Sequence, residues 1–273
     1  MTSRQVTVGV DGSVAAVRAL DRAAEEAVLR GAALDIVYAV PDVDGAGPVL
    51  ATAVARARGR CPGLPVTALA VPGSPVRALA DHGRDAELTV VGTRRLGVLG
   101  TFLAGSVSRR LAARTGGPLL VVGGAQGVPE GAVLFWPAGE ADLDGAAFAF
   151  AEAERRGARL RVLRAGASRS ADAGHRVPAP GEGRSRSPRH GRRTSGAGGL
   201  PPTDRGFPGT SPFAWPGLPR PVRPVHALVE ATRGAVVVVV GARRRGHRPG
   251  RVARVLLRHA HCPVVLVPGG DPE

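Results

Sequence analysis

Two clusters in this chain have the residue types and spacing to hold a phosphate-bearing ligand. The first is Asp11, Gly12 and Ser13, a turn directly after the apolar run Gln5 to Val10. A carboxylate at the end of a strand can accept hydrogen bonds from a ribose. The second runs from Gly92 to Ser106 and carries further glycines at Gly97, Gly100 and Gly105. Glycines let backbone amides approach a polyanion, and the amide and hydroxyl of Ser106 stand where a helical pattern begins, at the end whose dipole favours phosphate. There is no Walker lysine, and a glycine-rich turn between strand and helix also serves as a packing device. Asp11 is a turn-forming residue in its own right. No residue near either cluster offers itself as a catalytic base.

These clusters need strands to end beneath them and a helix to begin beyond them. Gln5 to Val10 reads as a buried strand, and Val17, Leu20, Ala24 and Val28 then repeat at helical spacing until Gly31. A strand from Ala33 to Val40 leads into an Ala/Arg stretch of weak pattern. A strand at Leu64 to Val71, a helix from Pro75 to about Arg84 and a strand from Glu87 to Val91 follow. Past the glycine loop, a helix from Ser106 to about Arg114 and a strand from Pro118 to Val122 complete the series. Five strands alternating with four helices predict a parallel, doubly wound sheet covered on both faces. In such sheets ligands bind beyond the carboxyl ends of the strands where the winding reverses. The two clusters belong to that crevice.

The chain then repeats itself. Ala27 to Ala39 reads AVLRGAALDIVYA, and 126 positions later Ala153 to Ala165 reads AERRGARLRVLRA, without a gap. A second copy therefore starts near Gly131. The same shift sets Pro137, Ala138 and Gly139 against Asp11, Gly12 and Ser13, so the first turn is lost. Gly166 to Pro219 is rich in Gly, Pro, Ser and Arg and is expected to be disordered, since it offers little apolar area to offset chain entropy. The repeat resumes at Pro224, where PVHALVEATRGAVVVVVGARRRG parallels PVRALADHGRDAELTVVGTRRLG from Pro75. The expected domains are 1–125 and 131–273, the second interrupted by 166–219. Its loop, GARRRGHRPGR, is four residues shorter than the first and sets Arg251 against Ser106.

Residues VGVDGS (Val8 to Ser13) and VVGTRRLGVLGTFLAGSVSRRL (Val90 to Leu111) resemble the universal stress protein family, and the likeness covers residues 4 to 123. The nucleotide-binding members of that family carry glycine, two residues, glycine, nine residues, then glycine and serine or threonine. The resemblance implies two tandem open parallel-sheet, doubly wound α/β domains (Rossmann-like, adenine nucleotide alpha-hydrolase-like). It also implies ATP, accompanied by Mg, in the first. Asp11, with Gly12 and Ser13, and the backbone of Val40 would meet the nucleoside. Gly92, Thr93, Arg95, Gly105, Ser106 and Val107 would form the phosphate loop. Arg95 departs from the motif, because it occupies the position of the second glycine while the nine-residue spacing to Gly105 is kept. No nucleotide is expected in the second copy.

The reading that follows is a non-enzymatic regulatory or stress-response protein in which ATP alters the surface shown to a protein partner. A degenerate interaction module without nucleotide is one alternative. A binder of acidic polymers is another, suggested by a net charge of +15 and by Arg243, Arg244, Arg245, Arg248, Arg251, Arg254 and Arg258. All the basic charge is arginine, with no lysine, which reads as coding bias before selection for a polyanion, and nucleic acid is not the expected partner. Cys61 and Cys262 lack metal-ligand spacing, and the run His259, His261 and Cys262 reads as a strand junction rather than a zinc site. No long apolar stretch follows the N-terminus, and the longest apolar run is the strand-sized Ala235 to Val240; a reducing cytoplasm is expected. The strands ending each copy should present edges for pairing, within the chain or in a homodimer. Phe148 and Phe150 are expected at core or interface positions.

Overall fold

A computed structural model describes residues 4–93, 106–123, 131–139, 142–163, 224–242 and 250–269. The chain divides into two units. One comprises 1–165 with 218–273 and holds every described residue. The other, 166–217, lies outside the described residues, as does the segment 166–219 on which disorder was expected.

The first copy is built as the periodicity requires. Strands β1 (Gln5–Val10), β2 (Ala33–Val40), β3 (Val66–Pro72), β4 (Leu88–Gly92) and β5 (Leu119–Val122) alternate with helices α1 (Val14–Arg30), α2 (Gly47–Arg60), α3 (Pro75–His82) and α4 (Ser106–Leu111). The weakly patterned stretch after β2 is the helix α2, entered through a short 3-10 turn at Asp44–Ala46 and started by Pro48 in its first turn. Helices α3 and α4 stop sooner than their patterns suggest, at His82 and Leu111. The second copy contributes β6 (Ala132–Trp136), α5 (Leu143–Arg156), β7 (Leu160–Val162), α6 (Pro224–Ala231), β8 (Ala235–Ala242), α7 (Arg251–His259) and β9 (Val264–Pro268). Among the described residues it has no counterpart of α2 and β3.

The nine strands among the described residues join one sheet in the order β3-β2-β1-β4-β5-β9-β8-β6-β7. Every pairing is parallel except the central one, where β5 and β9 run antiparallel with Leu119 opposite Leu266 and Val121 opposite Val264. The terminal strands of the two copies thus satisfy each other's edges inside one chain. The edges left at the ends of the sheet are β3 and the three-residue β7. An edge as short as β7 limits pairing with other chains.

Central strands such as Val236 to Val240 are apolar without alternation because both faces of the sheet are covered. Alanine-rich faces of α1, α2 and α5 pack on one side, through Ala23, Ala27, Ala53, Ala57, Ala149 and Ala153. Leu79, Leu111, Leu228 and Leu256 bring α3, α4, α6 and α7 onto the other. Helix α1 shows how the chain sets such an element. Ser13 caps its start, its Oγ accepting a hydrogen bond from the Ala16 amide at 3.2 Å, and Gly31 ends it in the left-handed region at φ 59°. Phe148 lies against the core as expected, whereas Phe150, at 49% exposure, lies on the outer side of α5 and is not a core residue.

Candidate functional site

The switch in winding falls between β1 and β4. From β1 the sheet proceeds through β2 to β3 on one side, and from β4 through β5 on the other, which is the order that leaves a crevice at a winding switch. Val8 stands beside Val90 in the register, which sets the ends of the two strands side by side. The strand ends from which the two singled-out segments start, at Val10 and Gly92, are therefore neighbours in space, with the end of β2 next to β1.

After β1 the backbone turns tightly. The Asp11 carboxylate accepts a hydrogen bond from the Ser13 amide at 3.0 Å, and Gly12 sits at φ 74°, a conformation that favours glycine. Asp11 is exposed at the rim, and Ser13 is half-buried with its hydroxyl engaged in the helix cap. Among the described residues, a Cβ placed on Gly12 would meet Val49 Cγ2 of α2, at 4.0 Å, an apolar side chain beside the turn. Val40 ends β2 and its carbonyl accepts from the Gly73 amide at 2.9 Å.

At the end of β4 the geometry is closer. A Cβ on Gly92 would fall against the backbone of α1, meeting the Ala15 carbonyl oxygen and standing 2.6 Å from its carbon. The structural demand at Gly92 is thus close packing of strand on helix. Thr93 is buried, its amide donating to the Val122 carbonyl at 2.9 Å. Beyond it, Arg95 and Gly105 lie outside the described residues. Ser106 opens α4, and Val107 packs its side chain against the apolar layer. The Ser108 hydroxyl donates to the Gly92 carbonyl at 3.2 Å and ties α4 to the strand end.

Sequence spacing did not single out Ala15, Val49 or Ser108. The signal for Ala15 was present in the glycine it faces, because a strand-ending glycine below a helix start marks close backbone approach. Val49 and Ser108 carried no signal of their own.

The counterpart in the second copy is built otherwise. Helix α5 begins at Leu143, three positions later than the repeat would place it, and the first turn is missing. The Asp142 carboxylate fills that space, accepting from the Ala138 amide at 2.8 Å and the Gly145 amide at 3.0 Å. Gly241, which corresponds to Gly92, lies against Asp142 and is 2.7 Å, from a notional Cβ, to the Ala138 nitrogen. Helix α7 has no side-chain cap at Gly250. Cys262 is buried, and burial pushes its thiol up to about 12. Among the described residues no group of three or more His, Cys, Asp or Glu could hold a metal ion. Among them, too, no helix is long and apolar enough to cross a membrane.

The model of the universal stress protein family matches residues 2–60 and 46–123, both within the first copy. A universal stress protein of Thermus aquaticus is 35% identical over 135 residues, which are 44% of this chain and 98% of that protein. The chain belongs to the universal stress protein family. A universal stress protein of Mycolicibacterium smegmatis is 33% identical over 144 residues, 45% of this chain, and the match spans about half (49%) of that relative's length. The crystal structure of a universal stress protein from Archaeoglobus fulgidus superposes with a TM-score of 0.67 at 12% identity, covering 99% of this chain and 100% of that one. That likeness extends the family fold over both copies.

Proposed function

We propose that this universal stress protein binds one adenine nucleotide, ATP, in the first copy, and that the bound nucleotide regulates a non-enzymatic stress response by altering the surface offered to a protein partner. The observation that carries the reading is the side-by-side placement of the Asp11 to Ser13 turn and the strand end at Gly92, at the winding switch, in the first copy and not in the second. Asp11, Gly12, Ser13 and the backbone of Val40 receive the nucleoside, with Val49 as an apolar wall. The loop that starts at Gly92 and Thr93 and runs through Arg95 and Gly105 to Ser106 and Val107 receives the phosphates. Magnesium accompanying ATP would be held chiefly by phosphate oxygens, with water completing its shell.

The test is direct. Freshly purified protein is denatured and the released small molecules are identified by chromatography and ultraviolet spectrum; the stripped protein is then titrated with ATP by calorimetry. One nucleotide per chain is expected, with binding lost when Asp11→Ala is combined with Ser106→Ala. Two nucleotides per chain, or binding indifferent to that double substitution, would overturn the assignment.

A further inference from the structure

Where α1 crosses α5 the structure buries four charges. Glu26, Arg30 and Glu152 are 1%, 4% and 0% exposed, and the Arg156 side chain is 7% exposed. They close a ring. Arg30 donates to Glu26 on its own helix and to Glu152 across the joint, while Arg156 donates to Glu152 on its own helix and to Glu26 across the joint. Arg22 adds a bond to Glu26 at 2.9 Å and Arg155 one to Glu152 at 3.0 Å.

The ring is self-complementary. Glu26 and Arg30 map onto Glu152 and Arg156 under the 126-residue repeat, so each helix presents the other with its own pattern. Ala23 and Ala27 of α1 and their repeat counterparts Ala149 and Ala153 of α5 are buried in one apolar cluster. Burial alone would push the Glu26 carboxyl up, but Arg156, Arg22 and Arg30 outweigh it and hold it down at about 2. The Arg156 guanidinium is opposed by its burial and is nevertheless raised by Glu26 and Glu152.

Two carboxylates and two guanidiniums removed from water are tolerated only when every one of them finds its opposite. A partner with a different charge order leaves like charges facing each other in a dry joint, which is a strong discrimination against it. We infer that the Glu26/Arg30 face of α1 is a recognition surface whose fitting partner is a helix with glutamate and arginine four residues apart in the same register, the partner that this chain supplies from its own second copy as α5.

The experiment is a charge exchange in the full chain, made in a background of Arg22→Gln and Arg155→Gln so that the outlying guanidiniums do not confuse the pairing. The half exchange, Glu26→Arg with Arg30→Glu, keeps the pair within α1 but sets Glu against Glu and Arg against Arg across the joint. The full exchange adds Glu152→Arg with Arg156→Glu and restores every pair. Melting temperature and mass in solution are read for all three. The half exchange should lower the melting temperature by on the order of 10 °C or more, double the mass by pairing like copies of two chains, or prevent folding. The full exchange should recover the melting temperature and mass of the background. A half exchange without effect overturns the inference, and so does a full exchange that fails to recover, including one that does not fold.

Discussion

Replacing Gly92 with alanine tests the geometry on which the candidate site depends. The added methyl would stand 2.6 Å from the Ala15 carbon, where ordinary contact begins at 3.4 Å, so the first turn of α1 has to retreat from the strand end by roughly 0.8 Å. Backbone cannot rotate aside as a side chain can, and overpacking of this kind costs about 1–3 kcal/mol. In a cooperative unit of this size that is a fall in melting temperature of about 2–12 °C. The same retreat moves Ser13 and Asp11 relative to the β4 end. If it stretches one nucleotide contact out of hydrogen-bonding range, at about 1.4 kcal/mol, affinity falls roughly tenfold. Gly31→Ala is the control. Gly31 sits at φ 59° with nothing within 4 Å of a Cβ, so the substitution costs about 1–2 kcal/mol in strain and lies at the far end of α1. Thermal melts and ATP calorimetry on both variants should show stability lost in each and affinity lost only in Gly92→Ala. A Gly92→Ala protein that melts and binds like the wild type would refute the packing argument.

Two further outcomes are expected. Because the folded Glu26 carboxyl is held at about 2 against 4.5 for an unperturbed glutamate, its stabilisation is complete above pH 4.5 and is lost as the pH falls toward 2; melts recorded from pH 6 to pH 2 should fall off over that window by roughly 3 kcal/mol, and Glu26→Gln should flatten the fall. At the phosphate loop, Arg95→Gly should tighten ATP binding by up to about twentyfold if the bound loop needs a left-handed backbone there, since a non-glycine residue pays about 1–2 kcal/mol for it and an exposed arginine–phosphate pair returns only about 0.2–1 kcal/mol. Calorimetry at one salt concentration decides it, and weaker binding by the glycine variant would make Arg95 a phosphate ligand.

The architecture was legible in the sequence because its physics is local. Strands buried on both faces write themselves as unbroken runs such as Val236 to Val240, and Ser13 and Gly31 mark the ends of α1. The gapless repeat announced the second copy; the edges that end each copy were legible too, but whether they pair within the chain or between chains was left open, and the structure pairs β5 with β9 within the chain. What escaped reading depends on contacts between distant segments. The role of Gly92 requires knowing that Ala15 lies over it. The ring required one more residue of context: the repeat read from Ala27 begins just after Glu26, and starting it one position earlier would have set Glu26 on Glu152 and, with Arg30 on Arg156, shown an identical charged pair in both copies. Even then, exposed i,i+4 pairs are common on helices, and only the fold buries this one. Of the two positions expected for Phe150, core or interface, the structure removes the core, because its place on α5 faces outward.

Comparing the copies residue by residue separates what the second one lost from what it kept. The positions of Asp11, Gly12, Ser13 and Ser106 are replaced by Pro137, Ala138, Gly139 and Arg251, and the first turn of α1 has no equivalent in α5. In its place the Asp142 carboxylate accepts from two backbone amides and rests against Gly241, so negative charge already occupies the spot where strand end meets helix start. A second polyanion there would have to break those bonds and face that charge. The kept positions are of another kind: Glu152, Ala153, Arg156 and Gly157 repeat Glu26, Ala27, Arg30 and Gly31, and the glutamates and arginines lie in the joint between α1 and α5. Because α1 carries Ser13 at one end and Glu26 and Arg30 toward the other, the two sets were free to diverge: a copy can abandon the ligand end of this helix without disturbing the end that pairs. The second copy thereby serves the first as a partner within the chain, closing the β5 edge with β9 and the charged face of α1 with α5.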